Sequence, residues 1–208
     1  MPKKQTTMLE TAGIEKNKTK RKEVFEIAIS ENFLEIPHMK SSEYIKYCYD
    51  KYEKYCKTNP QDRSTNGNIF ELIVITELYR CGIFPMFIQA QVAFVPNVNF
   101  DVLLYSSEKF PIGISLKTSL RERYKQADLE AVALKYVHRK AKNYLLTLDE
   151  KEAKSTKLKQ QKGELLGLDK IIVTTHSEFD EFVAELKETK LVIPEKIEVI
   201  TAQNIVVR

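Results

Sequence analysis

The sequence predicts an α/β sandwich whose central mixed β-sheet begins as an antiparallel meander, continues with parallel strands and is flanked by helices. Three observations lead there. Apolar residues recur at helical spacing over most of residues 23–82. Three runs rich in Val, Ile and Phe follow, separated by short polar links, and neighbouring strands joined in this way pair antiparallel. Beyond residue 119, helical and strand-like stretches alternate, as they do where helices cross over between parallel strands.

Taken in order, residues 1–20 are polar and lysine-rich without an apolar period, and are expected to form a loosely ordered basic tail before a single domain over residues 21–208. Glu23 to Leu34 carries Val24, Phe25, Ile27, Ile29 and Phe33 and breaks before Pro37. Ser41 to Lys57 is a second helix, opened by Ser41 or Ser42. A third is expected to start at Asn68, with Glu71 as its capping partner, and to stop at Gly82. Phe84 to Val95, Phe100 to Tyr105 and Phe110 to Lys117 are the strands of the meander, with turns at Pro96-Asn97 and Ser106-Ser107-Glu108. Ser119 to about Lys140 is the next helix, where Ser119 and Glu122 have capping-box spacing. Tyr144 to Leu148, Lys170 to Thr175 and Lys196 to Ile200 are further strands; Glu150 to Gln161 and Glu178 to Lys187 are further helices. There is no internal repeat.

A chain of 208 residues fits one domain and can bury a sizeable core. Its 43% hydrophobic and 30% charged residues exclude a chain disordered throughout. No apolar run approaches the roughly 20 residues needed to span a bilayer, and no apolar signal core follows the first residues, so no membrane association and a cytoplasmic location are expected. Cys48, Cys56 and Cys81 lack any Cys-x-x-Cys spacing, and His38, His138 and His176 are scattered. A disulfide framework, a zinc site and histidine-based catalysis are therefore not indicated. The net charge of +4 is mild but uneven, with basic runs over residues 16–22, 121–142 and 151–162. Such runs read first as solvated faces; the middle one stands beside the residues that carry chemistry.

Asp101 lies inside an apolar strand, where an ionised carboxylate is costly without a partner or a metal. Across one hairpin, Lys117 closes the next strand, with Ser115 on its face two residues earlier. Glu130 lies thirteen residues beyond Lys117 in the following helix, sharing a face with Arg123 and Gln126 and able to turn toward Asp101. Two acids and a lysine around one point suit a divalent cation, and magnesium takes one or two carboxylates plus water and phosphate oxygens. On spacing alone, the same residues read equally well as a cross-strand ion pair with Glu130 on a solvated face.

The run from Ser115 to Ala131 adds a resemblance. It is similar to the PD-(D/E)XK nuclease superfamily, within it to type II restriction endonucleases whose second acid has moved from the strand into the next helix. Ser115 and Lys117 match the altered strand motif, Glu130 the migrated acid and Asp101 the acid of the preceding strand, although Phe100 stands where proline is usual. Glu71 resembles an accessory acid of that superfamily. The resemblance implies a restriction-endonuclease-like sandwich and a homodimer. It implies hydrolysis of double-stranded DNA with Mg2+ held by Asp101, Glu130 and the Leu116 carbonyl, and with Gln126 in support. Arg121, Glu122 and Arg123 match a segment that reads CC/GG-containing sites; arginine can pair with guanine and glutamate with cytosine in the major groove. Two other readings stand beside it: a nuclease of the same superfamily acting on structured DNA in repair or recombination, and a non-catalytic DNA-binding protein on the same fold.

Overall fold

Apolar spacing of three to four residues in the first part of the chain builds a helical layer of α1 (Met8–Thr11), α2 (Lys20–Ala28), α3 (Ser41–Thr58) and α4 (Arg63–Arg80). The computed structural model describes residues 6–95, 97–194, 199–201 and 204–206. α4 is the most deeply placed of these helices. Asp62 caps it by accepting the Thr65 N–H at 2.7 Å, and Ile69, Phe70, Leu72, Ile73, Val74, Ile75 and Leu78 are all sealed from solvent. Asn68 is therefore inside the helix and not its cap, because Asp62 offers a carboxylate one and a half turns earlier.

The meander follows as β1 (Met86–Val92), β2 (Phe100–Ser106) and β3 (Phe110–Lys117). After it come α5 (Arg123–Val137), β4 (Lys142–Thr147), α6 (Glu150–Gln161), β5 (Lys170–Val173), α7 (Ser177–Glu188), β6 (Val199–Thr201) and β7 (Asn204–Val206). The sheet order is β5-β4-β3-β2-β1-β6, with β7 also pairing β1. β3, β4 and β5 run parallel, while β1 is antiparallel to β2, β6 and β7, and β2 to β3. The chain thus adopts the expected α/β sandwich with a mixed sheet, antiparallel at the start and parallel through β3, β4 and β5; the last strands, β6 and β7, return antiparallel to β1.

Period-two alternation along the strands supplies two apolar faces. Val102, Leu104, Ile112, Ile114, Leu116 and Leu146 pack toward α2, α3, α4 and α7. Leu145, Ile171 and Val173 meet α5 and α6 on the opposite face, where Phe87, Ala90, Phe100 and Leu103 form a neighbouring cluster with Leu134. Gly113 in β3 makes room for the Phe100 ring: a Cβ there would lie 2.7 Å from a ring carbon. The Phe100 side chain thereby passes under β3 and leaves Asp101 at the end of the paired ladder.

Two further expectations, at the two ends of the chain, are corrected. Residues 6–20 are not a loose tail: Leu9, Ile14 and Glu15 are buried, and Lys22 pairs with Glu10. Two apolar side chains and a set of ion pairs anchor this segment despite its polar composition; residues 1–5 of the expected tail lie outside the described residues. Lys196 to Ile200 is also not the last strand: β6 covers Val199–Thr201 and a further strand, β7, follows it, while residues 196–198 of the expected element, like Pro96 of the expected turn, lie outside the described residues.

α5 is held in place by a residue for which the sequence suggested no role. Asp128, buried on its inner face, accepts backbone N–H groups from Gly167 at 2.8 Å, Leu168 at 3.1 Å and Leu166 at 3.2 Å. Its carboxylate fastens the helix to the loop entering β5. Asp128→Ala leaves those donors without an acceptor and is expected to cost roughly 2–4 kcal/mol, read as a lowered midpoint in urea unfolding; an unchanged midpoint would mean the loop is held by other contacts.

Candidate functional site

The last Cα pair between β2 and β3 at this end is Val102 with Ile114; beyond it the two strands diverge. Asp101 fills the gap. Its Oδ2 accepts the Leu116 N–H at 2.6 Å, in place of a main-chain acceptor, and Lys117 Nζ at 3.0 Å. Asp101 is 7% exposed, so the donors around its carboxylate offset the cost of its burial. Ser115 is buried in β3 two residues before Lys117.

The facing position on β1 is Gln89, whose φ of 50° is unusual for a residue with a side chain. Strand alternation breaks there. Met86 and Ile88 face one helical layer, while Phe87, Ala90 and Val92 all belong to the other cluster. The left-handed backbone re-aims Gln89 while the pairing of β1 with β2 keeps its register on either side. Its amide Nε2 lies 3.2 Å from both Asp101 Oδ1 and Glu71 Oε2, and its Oε1 accepts from Asn99 at 2.6 Å. One amide nitrogen thus bridges two carboxylates from different elements.

Glu71 projects from the middle of α4 and is nearly enclosed. Arg21 of α2 approaches its Oε2 at 3.4 Å while also pairing with buried Glu15. Burial first, and then the charge of Asp101, push the Glu71 carboxyl up to about 7 against the opposing pull of Arg21 and Lys117. A buried acid whose protonation is favoured by a second carboxylate in this way marks a place where a cation is stabilising.

Glu130 comes from α5 and accepts from Gln126 Nε2 at 2.8 Å. No hydrogen bond joins it to Asp101 or Lys117 among the described residues, yet its carboxyl responds to both. Burial raises its pKa, the Gln126 hydrogen bond and Lys117 lower it, and Asp101 raises it. Among the described residues no three His, Cys, Asp or Glu side chains stand close enough together to enclose a metal ion. Magnesium does not require such a cage, since one or two carboxylates with water and substrate oxygens hold it. The donors present, Asp101 and Glu71 with Glu130 in the neighbourhood, are all hard oxygens and fit that ion.

Residues 118–122 leave the sheet toward α5 without forming the expected capping box. α5 starts at Arg123, and the free N–H groups of Leu120 and Arg121 donate to Glu152 of α6 at 2.6 and 2.7 Å. A carboxylate on a neighbouring helix has taken the role assigned to Ser119 and Glu122. Arg121, with φ 32°, Glu122 and Arg123 are exposed and line a cavity of about 400 Å3 together with Thr118, Ser119 and Arg63 of α4. Lys125 holds the Glu122 carboxyl below the usual range.

Compared with protein-family models, with curated proteins and with solved structures, the chain matches none. The site is therefore described by its own geometry. Asp101, Leu116 and Lys117 meet directly; Glu71 joins them through Gln89; Glu130 and Gln126 stand beside them. Arg121, Glu122 and Arg123 form a separate surface that begins directly after Lys117. No periodicity pointed to Gln89, Arg21, Glu15 or Glu152. A glutamine in the interior of an apolar strand and an arginine within a lysine-rich run were the only signals available.

The raised pKa of Glu71 has a consequence for stability. The native chain holds more protons than the unfolded chain between the ordinary glutamate range and about pH 7, so this group withdraws stability as pH rises through that window. In metal-free buffer at pH 8, Glu71→Gln is expected to raise Tm by a few degrees, each kcal/mol being worth roughly 2–4 °C at this size. Near pH 4 the gain should vanish. A variant less stable than wild type at pH 8 would show that the Arg21 ion pair outweighs the burial of charge.

Proposed function

We propose that the chain is a magnesium-dependent type II restriction endonuclease, hydrolysing phosphodiester bonds in double-stranded DNA at a short G/C-containing palindromic site. The observation that carries the reading is the Asp101 carboxylate, which takes Leu116 N–H and Lys117 Nζ together at the end of the β2–β3 ladder, with Glu71 across one amide. An ion pair serving stability alone needs neither the second buried acid nor the left-handed glutamine that spans the two. Strained backbone of order 1–3 kcal/mol is retained mainly where function over-determines it.

Asp101 and Glu130 would hold Mg2+, with Glu71 as the accessory acid. The N–H and C=O of one strand residue point toward the same neighbour, so the Leu116 carbonyl is directed to the side on which Asp101 lies. When bound, the ion polarises the phosphate and lowers the pKa of an attacking water. Lys117 orients that water or stabilises the charge that develops on the phosphate. Gln89 keeps the two carboxylates apart and aimed, and Gln126 restrains Glu130. Arg121, Glu122 and Arg123 read base edges, with Ser115 supporting the lysine strand from within. A palindromic site calls for two copies of the chain related by a two-fold axis.

Incubation of the purified protein with unmethylated plasmid DNA and Mg2+, followed by sequencing of fragment ends, is expected to give discrete fragments sharing one short sequence. Intact plasmid that is nonetheless tightly bound would leave a binding protein without catalysis. Asp101→Asn, which preserves an acceptor for the Leu116 N–H, and Lys117→Ala are each expected to lower the cutting rate by at least about 10²-fold, with duplex binding retained. Glu130→Ala is expected to do the same, and normal activity in that variant would remove the migrated-acid assignment. Glu122→Ala and Arg123→Ala should relax the site, at about 1–3 kcal/mol per bidentate contact; unchanged fragment ends in both would refute base reading by this segment.

A further inference from the structure

Three arginines converge on one concave surface and none of them is neutralised. Arg63 projects from the first turn of α4, and Arg121 and Arg123 stand on the wall opposite, around the cavity of about 400 Å3. Among the described residues their guanidinium groups have no hydrogen-bond or ion-pair partner, whereas Arg21 and Arg80 are both committed to glutamates. Of the remaining described arginines, only Arg139 stands elsewhere. The one acid lining the cavity, Glu122, is already paired with Lys125. Like charges left facing a common space repel, and an anion entering that space relieves the repulsion.

The remaining lining gives the ligand its position. Thr118 and Ser119 add hydroxyl donors, and they directly follow Lys117 in the chain. The cavity therefore begins one residue from the lysine of the candidate catalytic site. Guanidinium groups suit phosphate oxygens through their fork of donors.

We propose that this cavity is a phosphodiester-binding site, in which Arg63 of α4 grips the backbone of the same DNA strand whose neighbouring phosphate lies at Lys117. This rests on the nuclease reading and extends it to the first turn of α4, the helix that also carries Glu71. Arg63 contacts phosphate and carries no sequence information, while the opposite wall faces the bases.

The test is equilibrium binding of the full-length protein to short duplexes of several sequences, without divalent metal, between 50 and 200 mM salt. Arg63→Ala is expected to weaken binding roughly tenfold and equally for all sequences, and to reduce the slope of log affinity against log salt by about one. Arg63→Lys should retain most of that slope. Because Arg63 is exposed, Tm is expected to stay unchanged in both variants. If wild type binds duplex and Arg63→Ala matches it in affinity and slope, the phosphate site is refuted and the nuclease reading stands. Weakening confined to G/C-containing duplexes makes Arg63 a base reader and also overturns the proposal. Titration with inorganic phosphate separates the last case: a wild type that binds phosphate through Arg63 but no duplex has a free-anion site, and the strand contact and the nuclease reading fall together. Binding of neither probe has the same result.

Discussion

At the end of the β2–β3 ladder a side chain takes over from the backbone. Once the strands diverge past Val102 and Ile114, the Leu116 N–H would be a buried donor without an acceptor, and Asp101 supplies one. That single carboxylate therefore terminates the sheet locally and fixes Lys117, which shares its Oδ2. The arrangement depends in turn on Gly113, which admits the Phe100 ring beneath β3. Gln89 depends on it from the other side, because its amide has two acceptors only while Asp101 and Glu71 are both in place.

The helical layer contributes more to this constellation than its distance in sequence suggests. α4 brings Glu71 from within a fully apolar helix, and α2 brings Arg21 to meet it, backed by Glu15 from the segment before. Charge thus alternates in a row through Glu15, Arg21, Glu71, the Gln89 amide, Asp101 and Lys117. In a buried setting such alternation is the condition under which the members tolerate desolvation, since each inner charge finds a counter-charge or dipole on both sides.

How much of this was legible before the structure varied with the range of the interactions. The meander, the parallel strands and their order followed from local periodicity, and β3 starts and ends where the pattern of Phe110 to Lys117 places it. Asp101 stood out because an acid in an apolar strand is costly, and it is indeed partnered by Lys117. Helix starts were less readable where a remote group does the capping: Glu152 satisfies Leu120 and Arg121 across more than thirty positions in sequence, and nothing local to Ser119 reveals it. The basic opening segment was misread for a related reason. Composition sees the lysines, while Leu9 and Ile14 find their apolar contacts only in the assembled helical layer. Gln89 gave only the faint signal of an amide in an apolar strand, because the backbone angle that aims it at the two carboxylates is not written in any local pattern.

The hold of Glu152 on Leu120 and Arg121 separates two kinds of change open to this molecule. The loop bearing Arg121 and leading into Arg123 is anchored from α6, whereas the acids are anchored by β2, α4 and α5. Substitutions along α6 can therefore tilt or slide that loop with the acidic centre left as it is. The surface of that loop is thus free to drift over generations at a cost that the carboxylates at the end of the sheet do not feel.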